Sequence, residues 1–181
     1  MAWEFDFLHL MQDMHSPISD TIFKLITKLG DKGIFCILLA ICLLLVFKDK
    51  RMGLTVCLAI VTEFIVCNLI LKNIIARDRP FWTSPDLNII IKEPTDYSFP
   101  SGHTSVWFAL CTGVFCWNKR WGIIATVVAA LVAFSRLYLT VHFPTDVLGG
   151  AFVGIIMAII SYRATKYIDK KYSLENRFGI L

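Results

Sequence analysis

The sequence predicts an all-helical transmembrane bundle of five to six spans, and three observations support this fold class. Only 18% of the 181 residues are charged and 56% are hydrophobic, whereas about a quarter of the residues in a soluble domain are charged. The apolar residues form five nearly uncharged blocks of roughly 15–20 residues, close to the length that a helix needs to cross a bilayer. The blocks are residues 33–47, 53–71, 103–117, 121–135 and 147–162. Basic residues are concentrated in the connections. We expect residues 1–181 to form a single integral-membrane domain.

The first 30 residues predict two amphipathic helices at the membrane surface and not a cleaved signal peptide. Acidic side chains interrupt this segment, and no compact apolar stretch leads to a small-residue cleavage site. Aromatic and aliphatic residues are mixed with these acids in its first half, which is typical of a helix lying in the interface. A second helix is indicated by apolar residues at helical spacing: Ile18, Ile22, Leu25, Ile26 and Leu29. If that helix enters the membrane, the bundle has one membrane-embedded helix more than the five blocks.

The distribution of basic residues predicts the orientation of the bundle. Lysine and arginine are frequent after the first, third and fifth blocks. These regions hold Lys48, Lys50, Arg51, Lys119, Arg120, Arg163, Lys166, Lys170, Lys171 and Arg177. In a five-span bundle they share one side, which the positive-inside rule assigns to the cytoplasm. The N-terminus, the loop from residue 74 to residue 101 and the turn around His142 then lie on the extracytoplasmic side.

Cysteine usage and net charge exclude several classes of protein. All six cysteines lie inside apolar blocks: Cys36, Cys42, Cys57, Cys67, Cys111 and Cys116. The sequence has no CxxC pair or Cys/His cluster, so buried small hydrophobic side chains explain them better than disulfides or metal ligands. We expect no nucleic-acid partner despite the net charge of +4, because nucleic-acid-binding proteins cluster basic residues on a soluble surface.

A second group of basic residues predicts an anion-binding site on the extracytoplasmic side. Lys72, Arg79 and Arg136 lie at span ends there, against the trend of the positive-inside rule. Unpaired charges at membrane depth are costly, so a bound anion would stabilise them. Arginine binds phosphate in a bidentate way, and lysine adds a point charge. Ser101 stands at the expected N-cap of the third span and Gly102 permits close approach, so free N–H groups point at the same anion. These five residues are the predicted phosphate-binding set.

Two histidines and an aspartate predict nucleophilic chemistry beside this anion site. His142 and Asp146 are four residues apart, and Pro144 is well suited to the first turn of the fifth span. A carboxylate one turn along fixes the tautomer of the imidazole and leaves its other nitrogen free to attack phosphorus. His103, at a different helix end, is placed to protonate the departing oxygen. The scheme needs no metal or cofactor, because three cations neutralise the charge.

Each motif alone has a structural interpretation. A lone histidine near a helix end is more often structural or interfacial, and basic residues at span ends commonly anchor lipid headgroups. The three segments 72–80, 100–103 and 135–146 nevertheless occur together, each at a span end on one side. Span ends on one side converge whatever their sequence separation, and the joint pattern therefore favours a reactive site.

The pattern Lys-x6-Arg-Pro, Pro-Ser-Gly-His and Ser-Arg-x5-His-x3-Asp resembles the three signature motifs of the type 2 phosphatidic acid phosphatase superfamily. The signature positions are filled by Lys72, Arg79, Pro80, Pro100, Ser101, Gly102, His103, Ser135, Arg136, His142 and Asp146. The resemblance implies an all-helical membrane bundle and metal-independent phosphate hydrolysis through a phosphohistidine intermediate. It makes His142 the nucleophile, Asp146 its orienting partner and His103 the general acid. Many bacterial members resemble a six-span bundle, whereas this sequence shows five blocks and amphipathic helices.

The expected substrate is a phosphate monoester or diphosphate of a lipid that stays in the bilayer. Undecaprenyl diphosphate, phosphatidylglycerol phosphate and phosphatidic acid all fit the predicted cradle. A non-catalytic lipid-binding or scaffold protein on the same bundle is the alternative, although it predicts a degraded His/His/Asp set. A vanadate-dependent haloperoxidase would share the anion pocket, but those enzymes are soluble.

Three further features lie outside the signature. Glu63 is an acid within the second block, roughly 13 Å deeper than Lys72 at 1.5 Å per residue, and a packing role is favoured over a functional one. Gly150 and Gly154 predict close packing of the fifth span within the chain, which is favoured over a dimer interface. The loop from residue 81 to residue 99 is expected to form a partly immersed flap, whose three isoleucines could touch acyl chains.

Overall fold

A computed structural model describes residues 2–47 and 49–172, and no strand occurs in these ranges. The α-helices are α1 (Ala2–Asp13), α2 (Pro17–Lys28), α3 (Ile34–Leu45), α4 (Lys50–Glu63), α5 (Lys72–Ile75), α6 (Pro80–Thr83), α7 (Gly102–Trp117), α8 (Lys119–Tyr138) and α9 (Pro144–Tyr172). A 3₁₀ turn, Asp31–Gly33, precedes α3, and a π-helical segment, Phe64–Leu71, joins α4 to α5. The prediction of an all-helical fold with two N-terminal helices is confirmed. Lys48 and Arg177 lie outside the described residues.

Within the described ranges, three helical stretches are long and apolar enough to cross a membrane. They are Lys50–Thr83, which runs from α4 through α6, and the helices Lys119–Tyr138 and Pro144–Tyr172. Helices α3 and α7 have 12 and 16 residues, fewer than the roughly 20 that a membrane-spanning helix needs. The chain is therefore a helical membrane protein, while the count of five spans stays a prediction.

Helix α7 lies at the centre of the bundle, where it packs against α4, α8 and α9. Trp107 and Leu110 contribute to the main apolar core together with Val56 of α4 and Val132 of α8. Helix α9 lies so close to α7 that a Cβ atom built on Gly154 would be 2.3 Å from the Ser105 carbonyl oxygen. Small residues permit such close backbone contact. The structure agrees with the predicted packing of the fifth apolar block inside the chain.

The bundle has two distinct ends. At one end, Arg51 of α4 pairs with Asp169 of α9 at 3.4 Å and lies over the Trp117 ring at the end of α7. At the other end, Glu4 of α1 pairs with Arg77 at 2.7 Å. The N-terminal helices therefore lie at the end that carries the three motifs. Helix α9 is longer than the fifth apolar block, so Arg163, Lys166, Lys170 and Lys171 belong to this helix and do not follow it.

The loop between α6 and α7 covers the turn between α8 and α9. Its three isoleucines, residues 89–91, are half-buried against Tyr138, Leu139 and Val141. The Thr140 hydroxyl adds a hydrogen bond to the carbonyl oxygen of Asn88 at 3.3 Å. The isoleucines thus anchor the loop on the protein, which accounts for an apolar run in a connection.

Candidate active site

The predicted site residues converge at the end of the bundle that α1 covers. A cavity of about 690 Å³ lies there between the π-helical segment, the start of α7 and the α8–α9 turn. Six of the predicted residues line it: Lys72, Arg79, Gly102, His103, Arg136 and His142. Ser101 and Asp146 are fully buried behind this wall. The convergence that the sequence predicted from shared span ends is therefore present.

The π-helical segment and the turn after it place the first two cations. The backbone N–H of Lys72 donates to the Cys67 carbonyl oxygen in the wide π register, and such segments are frequent at functional sites. Ala76 then adopts a left-handed conformation with φ 45° and ends α5. The chain turns there and returns Arg79 to the cavity, where its side chain is 2% exposed.

The guanidinium of Arg79 faces the predicted nucleophile. Its Nη1 donates to the Val141 carbonyl oxygen at 2.7 Å and lies 3.4 Å from Nε2 of His142. Because a guanidinium can only donate, this contact leaves the lone pair on Nε2 and the ring proton on Nδ1. Burial lowers the pKa of His142 well below its usual range, and the charges of Arg79, Arg136 and Lys72 lower it further. The imidazole is therefore neutral at neutral pH, as a nucleophile must be.

Asp146 is fixed beside His142 by several donors. Its Oδ2 lies 3.6 Å from His142 Nδ1, within ion-pair distance but too far for a hydrogen bond. The same oxygen accepts hydrogen bonds from the Phe143 backbone at 2.8 Å and from the Ser98 hydroxyl. Its Oδ1 accepts from Arg77 Nη1 at 2.6 Å. The carboxylate is held in place without His142, and a small ring movement would bring the two into hydrogen-bond contact.

His103 points from the first turn of α7 toward the connection between α2 and α3. Its Nε2 lies 3.1 Å from Oδ1 of Asp31. This hydrogen bond holds the pKa of Asp31 below its ordinary value, although partial burial opposes it. A Cβ atom on Gly30 would lie 2.5 Å from the imidazole, so the absence of a side chain there permits the approach.

Ser101 and Gly102, the two small residues of the predicted phosphate-binding set, lie at the start of α7. Ser101 is the N-cap residue of α7, but its hydroxyl makes no capping hydrogen bond. Instead it accepts from the Thr104 hydroxyl at 3.0 Å, and the Ser101 N–H donates to the Asp146 carbonyl oxygen at 3.0 Å. The Ser101 hydroxyl therefore bonds within the first turn of α7, and its backbone N–H joins this turn to α9. Gly102 is on the wall, where a Cβ atom would lie 2.8 Å from Asn68 Oδ1.

Arg136 supplies the third cation from the last turn of α8. Its side chain is buried and Nη1 donates to the Thr27 hydroxyl of α2. Its Nε has no hydrogen-bond partner in the described part of the chain. A buried guanidinium with an unused donor at a cavity wall is suited to bind an anion.

A carboxylate lies against the other two cations. Asp96, from the loop before α7, pairs with Lys72 Nζ and with Arg79 Nη2, the latter at 2.7 Å. Burial would raise the pKa of Asp96, but the hydrogen bond and charge of Lys72, reinforced by Arg79, hold it well below its usual range. Asp96 is therefore ionised and contacts the same donors that are predicted to bind phosphate.

The cavity also has an apolar arm that runs along the bundle between α3 and the α4–π stretch. Ile37 and Ile41 line it on one side, and Ile60, Val61 and Phe64 on the other. All but Ile60 are at least 43% exposed, so the arm borders the outer surface of the bundle. Apolar side chains exposed on a membrane protein face lipid.

The sequence profile of the PAP2 superfamily matches residues 34–170 of this chain. The chain belongs to the PAP2 superfamily. It is 30% identical over 151 residues to undecaprenyl-diphosphatase BcrC of Bacillus subtilis. The aligned region covers 82% of this chain and 76% of that protein. It is 33% identical over 105 residues to the bacitracin transport permease protein BcrC of Bacillus licheniformis, covering 56% of this chain and 52% of the relative. The match thus spans about half the length of that protein.

Solved structures of PAP2 phosphatases share the fold. The crystal structure of Aquifex aeolicus LpxE has a TM-score of 0.77 and 30% identity, and the match covers 88% of this chain and 94% of that one. The phosphatidylglycerolphosphate phosphatase of the PAP2 type from Bacillus subtilis has a TM-score of 0.72 and 28% identity, covering 94% and 86%.

Several residues around this PAP2 site carry little or no signal in the sequence. Asp31, Ser98 and Asp96 contact predicted site residues but lie in connections, where no spacing pattern marks them. Arg77 carried a weak signal, since it lies inside the first motif without a signature position. Glu63, which the sequence marks as an acid within an apolar block, is 1% exposed on the cavity wall, and its Oε1 is unpartnered among the described residues.

Proposed function

We propose that the protein is a membrane lipid phosphatase that hydrolyses a phosphate monoester or diphosphate of a lipid through a phosphohistidine intermediate. The observation that carries this proposal is the neutral, buried His142, whose Nε2 lies 3.4 Å from Arg79 on the wall of a cavity that also holds Lys72 and Arg136. A nucleophile beside three anion-binding side chains is the arrangement that phosphoryl transfer requires.

The proposed reaction has two steps. His142 Nε2 attacks phosphorus while Lys72, Arg79, Arg136 and the N–H groups at the start of α7 hold the phosphoryl oxygens. The P–O bond to the leaving group breaks, and His103 donates a proton to the leaving oxygen. Water then attacks phosphorus, the P–N bond breaks, and His103 takes up the proton of the water. The carboxylate of Asp146 stabilises the positive charge that forms on the His142 ring.

The apolar arm supports a lipid as the carrier of the phosphate. A headgroup at the three cations would have its tail between α3 and α4, beside surface that faces lipid. Several relatives carry names that fit this class: undecaprenyl-diphosphatase, phosphatidylglycerophosphatase B and lipid A 4'-phosphatase. Undecaprenyl diphosphate, phosphatidylglycerol phosphate and phosphatidic acid are the candidate substrates. The basic residues at the opposite end of the bundle support an extracytoplasmic site.

The test is phosphate release by the detergent-purified protein in the presence of EDTA. The panel contains the three candidate lipids and a soluble phosphate monoester, each measured beside the His142→Ala variant. We expect lipid-dependent release that the variant abolishes, since it lacks the nucleophile. A large loss with EDTA that Mg²⁺ restores would contradict the metal-free reaction. Release from no lipid by folded protein would favour the lipid-binding or scaffold alternative.

A further inference from the structure

The geometry points to Glu4 of α1 as a positioning residue that acts on the proposed nucleophile through Arg77 and Asp146. The inference rests on the proposed function, because it assigns a role in the His142 step. Glu4 and Arg77 have no signature position, and α1 lies outside the segment, residues 34–170, that matches the superfamily.

Glu4 is buried at the site end of the bundle, although it belongs to a surface helix. Its carboxylate is 2% exposed, and Oε2 accepts from Arg77 Nη2 at 2.7 Å. Its Oε1 accepts from the Thr145 hydroxyl at 2.6 Å and from the Thr145 N–H at 3.4 Å. Burial of an acid is costly unless it is paired and hydrogen-bonded, and here both oxygens are satisfied by the site.

Arg77 connects Glu4 to the proposed machinery. Its Nη1 donates to Asp146 Oδ1 and to the Thr145 hydroxyl, both at 2.6 Å. Its guanidinium lies 4.0 Å over the Phe143 ring, which Phe5 of α1 also contacts edge-on. The order of charges is therefore Glu4, Arg77, Asp146 and then the His142 ring, at 3.6 Å from Asp146.

This order determines how much negative charge Asp146 offers to His142. Attack by Nε2 places positive charge on the ring, which Asp146 stabilises. Without Glu4, the positive charge of Arg77 would offset the negative charge of Asp146. The Glu4 carboxylate on the far side of Arg77 compensates the charge of Arg77. Glu4 thus keeps Asp146 available to the imidazole and fixes its Oδ1 through the same guanidinium.

The experiment measures kcat, KM and the inhibition constant of vanadate for wild type, Glu4→Gln, Arg77→Gln and the double variant. We expect Glu4→Gln to lower kcat about tenfold, while KM and the vanadate constant stay within about twofold, because the cations of the cradle are untouched. The double variant should lose much less than the product of the two single losses, since the effect of Glu4 on Asp146 passes mainly through Arg77. Glu4→Asp should restore part of the rate. Asp6→Asn, an exposed acid on the same helix, is the matched control and should equal wild type.

Three outcomes would overturn the inference: a Glu4→Gln rate equal to that of Asp6→Asn, independent losses that multiply in the double variant, or a vanadate constant that rises along with the loss in kcat. If Glu4→Gln does not purify as folded protein, Glu4→Asp replaces it. The shorter side chain keeps the charge but draws the carboxylate away from Arg77, and it should lower kcat about threefold with an unchanged vanadate constant. An unchanged kcat would then overturn the inference. A wild type without phosphate release contradicts the proposed function itself, a result that no variant can mimic.

Discussion

Asp96 occupies two of the cations that we propose bind phosphate. Its carboxylate contacts Lys72 and Arg79, and a bound phosphoryl group needs those donors. We expect Asp96→Asn to lower the inhibition constants of vanadate and inorganic phosphate by about tenfold, because a neutral amide competes less well for two cations. Steady-state inhibition assays measure this directly.

Glu93→Gln provides the control for Asp96→Asn. It removes the same charge from the same loop, but Glu93 is exposed and makes none of the contacts that Asp96 makes to the two cations. Inhibition constants that fall equally in both variants would show a general effect of loop charge. Weaker inhibition in Asp96→Asn would show that Asp96 helps to hold the cations in place and does not compete with phosphate.

The pair formed by Asp31 and His103 predicts a pH effect. The hydrogen bond from His103 holds the pKa of Asp31 below its ordinary value, so Asp31 is charged through the neutral range and favours protonated His103. Asp31→Asn removes that charge, and the proton needed for the leaving oxygen is then lost at lower pH. The alkaline limb of kcat/KM should move down by about half a pH unit, a modest shift because Asp31 is half-exposed.

Asp13→Asn, an exposed acid at the end of α1, is the control for this pH profile. An alkaline limb at the same pH in Asp31→Asn and wild type would show that Asp31 does not affect the protonation of the general acid. A shift of equal size for an aryl phosphate, whose leaving group needs little protonation, would argue against His103 as the general acid.

The sequence predicted the residues whose position follows from a helix end. Lys72, His103 and Arg136 sit at span ends, and helix periodicity places them at one level of the bundle. Asp31 and Asp96 could not be predicted, because the conformation of a connection depends on tertiary contacts. Ser101 is the N-cap residue of α7, as its sequence position predicts, but the N-cap position alone does not determine which neighbour its hydroxyl contacts.

At the scale of helices, hydrophobic blocks located α3, α4, α7, α8 and α9. They did not reveal the π-helical segment Phe64–Leu71, since a change of backbone hydrogen-bond register leaves the apolar pattern intact. They also placed the end of α9 too early, because charged residues continue a helix beyond its apolar part.

The contact between α7 and α9 predicts an effect on stability. A Cβ atom on Gly154 would lie 2.3 Å from the Ser105 carbonyl oxygen and 2.8 Å from the Ala109 nitrogen, and backbone cannot yield locally. Gly154→Ala should therefore lower the free energy of unfolding by about 1–3 kcal/mol, as overpacking does. The thermal midpoint in detergent measures the change.

Gly113→Ala is the matched substitution for Gly154→Ala. Its nearest neighbour is the Val56 Cγ2 atom at 3.1 Å, which can move, and the gain in helix propensity of up to about 1 kcal/mol is the same. Its thermal midpoint should stay near that of wild type. An equal fall of the thermal midpoint in the two variants would mean that the close backbone contact between α7 and α9 does not determine stability.

For the whole molecule, the fold separates two kinds of basic residue. Arg51 lies at the end of the bundle opposite the site and pairs with Asp169, whereas Lys72, Arg79 and Arg136 converge on the cavity. The first kind fits the positive-inside rule and the second fits anion binding. We predict a topology that satisfies both, with the cavity and α1 on the extracytoplasmic side and Lys119 in the cytoplasm.

This topology can be tested by labelling single cysteines in a background that lacks the six native ones. Glu93→Cys lies in the loop beside the cavity, Lys119→Cys lies at the opposite end, and both positions are exposed. A membrane-impermeant maleimide should label Glu93→Cys in intact cells and Lys119→Cys only after permeabilisation. The reverse pattern would place the cavity in the cytoplasm. Labelling of both in intact cells would contradict the predicted single crossing of the membrane by α7.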